Sequence, residues 1–214
     1  MQQQHYFVIN AFFDCYGLSQ ARSLLSRMIK AADSEKTWKG RSPSDLLFFT
    51  GKMEELMEAV FSLVGGYDYR PEVILDKDNS EDIWSLANYD SYCGWHIHSS
   101  PWDFFPRHLT QKEFLDPYRA LEKFTGYRSL DKWKKVLSDL LFHALSPHSI
   151  YEFDDGAGIL RTWLQLHKLL EAAHLVELRS NDEKKQHLRL KWKDKKGLEK
   201  QSGNQKQEIY PPKL

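Results

Sequence analysis

Residues 158–193 read GILRTWLQLHKLLEAAHLVELRSNDEKKQHLRLKWK, and the apolar positions in this stretch change period partway along. Leu160, Trp163, Leu164, Leu166, Leu169 and Leu170 recur at helical spacing, while Arg161, Gln165 and Lys168 fall about one turn apart on the other side. That polar stripe is basic except for Glu171. The pattern predicts an amphipathic helix from about Ala157 to His174. Beyond it, Leu175, Val176 and Leu178 suit a strand, residues 180–185 a turn, and Leu188, Leu190 and Trp192 alternate with Arg189, Lys191 and Lys193. The expected unit is a helix feeding a β-hairpin with one apolar and one cationic face.

Upstream, helical periods dominate. Leu18, Ala21, Leu25, Met28 and Ala32 form one apolar stripe, widened by Leu24 and Ile29. A second helix starts at Ser42, with Pro43 suited to the first helical position and Asp45 favourable in the first turn. It runs through Leu46, Phe49, Met53, Leu56, Val60 and Val64 to Gly65-Gly66. Thr110 and Glu113 have the spacing of a capping box and open a helix through Phe114, Leu115, Tyr118, Leu121 and Phe124, bent at Pro117. Another begins near Ser129 or Leu130 and buries Trp133, Val136, Leu137, Leu140, Leu141 and Ala144. Between Tyr67 and His108 periodicity fails while tyrosines, tryptophans and phenylalanines crowd together; only Glu81 to Asn88 looks helical. Such an aromatic loop is expected to pack.

The chain has 214 residues, enough for a real core, and only two cysteines, Cys15 and Cys93, which fits a reducing compartment. Its opening MQQQHYFVINAFFDCYG lacks a basic n-region and is broken by Asn10 and Asp14, so it reads as a poor signal peptide, and no stretch is long and apolar enough to span a bilayer. A cytoplasmic location without membrane contact is the expectation. The formal charge of zero divides into about +5 for residues 180–214 and −5 for the rest. A basic tail on an acidic body permits contact with nucleic acid, with an acidic partner, or with a second copy in a homo-oligomer.

The stretch Leu169 to Glu177, LLEAAHLVE, with the hairpin through Lys193, resembles a winged-helix module, in which a leucine-rich recognition helix is followed by a two-stranded wing. The resemblance implies that Arg161, Gln165 and Lys168 face the bases of duplex DNA and that Arg189 and Lys191 meet phosphates. Bidentate hydrogen bonding of arginine to guanine and of glutamine to adenine gives that assignment a physical sense. One departure is the long acidic segment SPHSIYEFDDGAG, where the family has a tight turn. The same shape also serves protein contacts. Arg161 and His167 also fit the arginine-to-histidine spacing of HEPN ribonucleases, but six residues advance a helix by about one and two-thirds turns, so the side chains would diverge.

Other constellations were weighed against structural roles. Trp95-His96-Ile97-His98 places two imidazoles on one face of an extended segment, and Asp103, Asp90 or His108 could complete a zinc or iron site. Cys93 lies three residues before His96, without an evident orienting residue. Glu54, Glu55 and Glu58 read as a solvated face, and His143, His148 and His174 as surface or cap residues. No glycine-rich loop follows a strand, which disfavours Rossmann and P-loop nucleotide binding.

The sequence therefore predicts a mainly α protein. Residues 1–109 are expected to form a helical body bearing the aromatic-rich loop at 67–108, residues 110–197 a helical, winged-helix-like part, and residues 198–214 a flexible polar tail. The expected function is binding or regulation, on duplex DNA through Arg161, Gln165, Lys168, Arg189 and Lys191. The alternatives are a metal-assisted hydrolase using His96, His98 and Asp103 with zinc or iron, and a protein-interaction module without nucleic-acid binding.

Overall fold

A computed structural model describes residues 3–40, 42–66, 92, 100–150 and 157–180. Among these the chain forms eight helices and no strand: α1 (Gln3–Cys15), α2 (Leu18–Ala32), α3 (Pro43–Gly65), α4 (Pro101–Phe104), α5 (Gln111–Leu115), α6 (Tyr118–Tyr127), α7 (Leu130–Leu145) and α8 (Ala157–Ser180). The stripes at 18–32 and 43–65 form α2 and α3 as their periods predict, with Leu18, Ala21, Leu25, Met28 and Ala32 of α2 all buried. Ser42 caps α3 by accepting from the Ser44 N–H, and Pro43 sits where its missing donor costs nothing. Trp133, on α7, is fully buried and stacks on Phe124, with ring centroids 4.4 Å apart.

Two helical boundaries differ from expectation. The Thr110–Glu113 capping box is present, but the helix it opens ends at Leu115, and a separate helix starts at Tyr118 with Pro117 as its N-cap. Proline lacks an amide donor and its ring collides with the preceding turn, so two short helices replace one bent helix. The first seventeen residues, weighed only as a leader, contain α1, which sinks Ile9 and Phe12 into the core.

The larger correction concerns α8. It continues through Leu175, Val176 and Leu178 to Ser180, so the expected first strand of the hairpin is helical. Every residue from Leu169 to Arg179 is buried. α8 is wrapped by α1, α2, α5 and α6, and enclosure on all sides, with Glu171, His174, Glu177 and Arg179 buried among the leucines, erases the one-sided apolar period. The β-branched Val176 among leucines then imitates a strand. The second half of the hairpin, Leu188 to Lys193, lies outside the described residues, as do the helix expected at Glu81–Asn88 and the tail at 198–214.

α8 is held at its far end by Arg179, whose Nη1 donates to the Phe114 carbonyl at 2.7 Å while the guanidinium lies over the Phe114 ring. Burial pushes the Arg179 pKa down to about 9, with Asp116 opposing. His143 and His174, expected as surface or cap residues, are buried; His143 stands in the last turn of α7, and His174 Nε2 meets the Tyr92 carbonyl at 3.2 Å. Tyr92, from the aromatic loop, is fully buried edge-on to Phe105. No described helix is long and apolar enough to cross a membrane.

Leu170 is fully buried and Leu160, on the same helix, is 68% exposed. Urea denaturation should show Leu170→Ala losing about 2–5 kcal/mol and Leu160→Ala changing stability by no more than about 0.5 kcal/mol.

Candidate functional site

An ionised carboxylate inside a helical core must have its oxygens filled, and Glu171 of α8 is fully buried. Arg22 of α2, itself 5% exposed, donates through Nη1 to Glu171 Oε1 at 3.0 Å. The segment between α4 and α5 supplies the rest. The Arg107 N–H reaches Oε1 at 3.0 Å, the His108 N–H reaches Oε2 at 2.8 Å, and His108 Nδ1 lies 2.8 Å from Oε1. Burial alone would raise the Glu171 pKa; the bonds from His108 and the Arg107 amide outweigh it and hold the group below the usual carboxylate range. Arg22 also donates to the carbonyls of Phe105, at 2.8 Å, and Asp103. Burial lowers its pKa and Glu171 opposes the fall, leaving a guanidinium that stays protonated.

The ionised acceptor takes the His108 Nδ1–H and leaves Nε2 on the far side of the ring. The ring is partly exposed and stands edge-on to Trp163, with centroids 4.8 Å apart, and 4.7 Å from the ring of His167. His167 is 2% exposed; its Nε2 lies 3.0 Å from Ser26 Oγ and its Nδ1 has no hydrogen-bond partner. Burial, with His108 and the nearby arginines adding to it, pushes its pKa down to about 3, so the ring is neutral at physiological pH. The group thus presents the Nε2 of one oriented imidazole beside an indole and a neutral second imidazole.

α8 exposes only its beginning. At about 100° per residue, Leu160, Arg161, Leu164, Gln165 and Lys168 share an outer face, with Thr162 on one flank and Trp163 on the other. Arg161 is exposed and Gln165 half-buried. Lys168 is not free: its Nζ pairs with Glu113 Oε2 at 2.8 Å. Glu113, fully buried, also takes Lys123 Nζ at 2.7 Å and caps the Thr110 N–H. Burial favours the protonated acid here, but the bonds from Lys123, Lys168 and Thr110 prevail and bring the pKa to about 2. The Thr162 flank carries Arg128, whose Nη1 is 3.4 Å from Thr162 Oγ1 and whose guanidinium lies over Tyr127. The Trp163 flank carries His108 and then Arg107, stacked over the half-exposed Trp102.

Arg189, Lys191, His96, His98 and Cys93 lie outside the described residues. Asp103 is described; its carbonyl is held by Arg22, and no group of three or more metal-binding side chains gathers among the described residues. Arg161 and His167 diverge as their spacing implies, one exposed and the other buried. Sequence reading missed the joining of Arg22, Ser26, His108, His167 and Glu171. One signal was present: Glu171 is the single acid in an otherwise basic stripe. No protein-family model, curated protein or solved structure matches the chain.

Glu171→Ala leaves Arg22 buried without its counter-charge and should cost about 3–5 kcal/mol in denaturant titration. The folded His167 ring takes no proton until about pH 3, whereas an unfolded histidine takes one near 6.5. Stability tied to this ring is complete above about pH 6.5 and is lost as pH falls toward 3. The drop in stability between pH 6.5 and 4 is expected to be shallower in His167→Gln than in the parent, measured by urea midpoints across that range.

Proposed function

We propose that the protein binds single-stranded nucleic acid across the exposed first turns of α8. The observation that carries this reading is the alternation of cations and rings over that face: Arg128 over Tyr127 on one side, Arg161 in the middle, and Trp163, His108 and Arg107 over Trp102 on the other. Unstacked bases lie on aromatic faces whatever their sequence, and arginines beside those faces meet the phosphates. His108 offers its Nε2 to a base edge or a sugar hydroxyl.

A single strand fits better than the duplex that a winged-helix reading implies. A recognition helix must stand clear of its neighbours to enter a major groove about 12 Å wide. α8 is enclosed from Leu169 to Arg179 and flanked at its start by Arg128 and His108. A shallow face of this kind admits a flexible strand more readily than a rigid cylinder. Arg161 and Gln165 keep the contact roles expected of them, while Lys168 serves the Glu113 ion pair.

Fluorescence anisotropy with a short labelled oligonucleotide tests the reading. Affinity should fall with salt with a log–log slope of about −0.7 per phosphate neutralised, and the duplex of the same sequence should bind more weakly. Trp102→Ala should weaken binding by about 1–3 kcal/mol, and Arg161→Ala should lower the salt slope. Absence of salt-sensitive binding to the single strand, or a preference for the duplex, overturns it.

A further inference from the structure

Away from α8, the outer side of α2 and the first turns of α3 border a cleft of about 480 Å³, within the usual range for a small-molecule site. Its walls include three rings, Tyr16, Trp38 and Phe48, and two opposite charges, Arg27 of α2 and Asp45 of α3. Trp38 is fixed as a wall. Its backbone N–H donates to the Ala144 carbonyl at 2.7 Å, and a Cβ at Gly40 would come within 2.1 Å of the indole, so only glycine lets the ring lie there. Tyr16 is 8% exposed, and its ring forms part of the cleft wall. Among the described residues neither Arg27 nor Asp45 forms an ion pair; Arg27 lies over Trp38, 4.8 Å from the ring centroid.

Each element selects a part of the ligand. The rings require a flat heterocycle. A carboxylate with both oxygens open accepts two parallel N–H donors, which the N1–H and exocyclic amine of guanine present side by side. A guanidinium with open donors takes an anion, phosphate above all. We propose that this cleft binds a guanine nucleotide, with the base against Trp38 and Phe48, its N–H edge on Asp45 and its phosphate on Arg27. The site uses no residue of the α8 face, so each can fail without the other.

Isothermal titration calorimetry of the full chain with guanosine monophosphate, guanosine, adenosine monophosphate and tryptophan as probes tests the assignment. Arg27, Asp45 and Phe48 are exposed, so their substitution leaves the core intact, and thermal unfolding checks that it does. Guanosine monophosphate should bind, and Arg27→Ala and Asp45→Ala should each weaken it about tenfold or more, the effect of a lost charged hydrogen bond. The Arg27→Ala loss should vanish with guanosine, which has no phosphate, whereas the Asp45→Ala loss should persist. Arg161→Ala and Trp102→Ala should leave guanosine monophosphate binding unchanged. The assignment is overturned if guanosine monophosphate gives no binding heat, if both cleft variants bind it like the parent, or if tryptophan or adenosine monophosphate binds as well.

Discussion

A charge of each sign sits deep between α2 and α8, and the neighbouring chain is arranged around the need to satisfy both. Arg22 and Glu171 touch, but one contact leaves a guanidinium with spare donors and a carboxylate with spare lone pairs. The short helix α4 and the segment after it answer both demands, offering the Asp103 and Phe105 carbonyls to Arg22 and the Arg107 and His108 N–H groups to Glu171. Backbone groups with no helix or sheet to bond within are thereby satisfied inside the protein. The path of this segment, and with it the placement of His108, Arg107 and Trp102, follows from the ion pair. A hydrophobic pair of similar size could stabilise the two helices equally well, but it would give the segment nothing to hold.

Glu113 repeats the device nearer the surface. It caps its own helix through Thr110 and draws in Lys123 of α6 and Lys168 of α8. Each carboxylate lies where three chain segments meet, and each is kept ionised against burial by donors from the other two. The arrangement shapes the surface as well as the core: with Lys168 engaged by Glu113, the open cationic character of the α8 face comes from its arginines. Arginines also lie over Trp102, Tyr127 and Trp38, so charge and ring recur together on both candidate binding surfaces.

What could be read from the chain alone was whatever depends on neighbours within a turn or two. The stripes of α2 and α3, the Ser42-Pro43 start, the Thr110–Glu113 box and the buried face around Trp133 are local patterns, because a helix with one wet side must repeat its apolar residues every three or four positions. The same logic fails where a helix has no wet side. Leu175 to Leu178 carried no period because every residue of that turn is buried, and the number of neighbours around a helix is decided by the fold. The candidate sites lay beyond local reading for a related reason. Arg22 and Glu171 are 149 positions apart and Arg107 and Glu171 are 64 apart, while Arg27, Trp38 and Asp45 belong to three different segments. Residue type announced that Glu171 was out of place in a basic stripe; only the packing of α2 and α8 against the 103–108 segment decided what it was for, since a buried charge takes its meaning from the partners that tertiary structure brings to it.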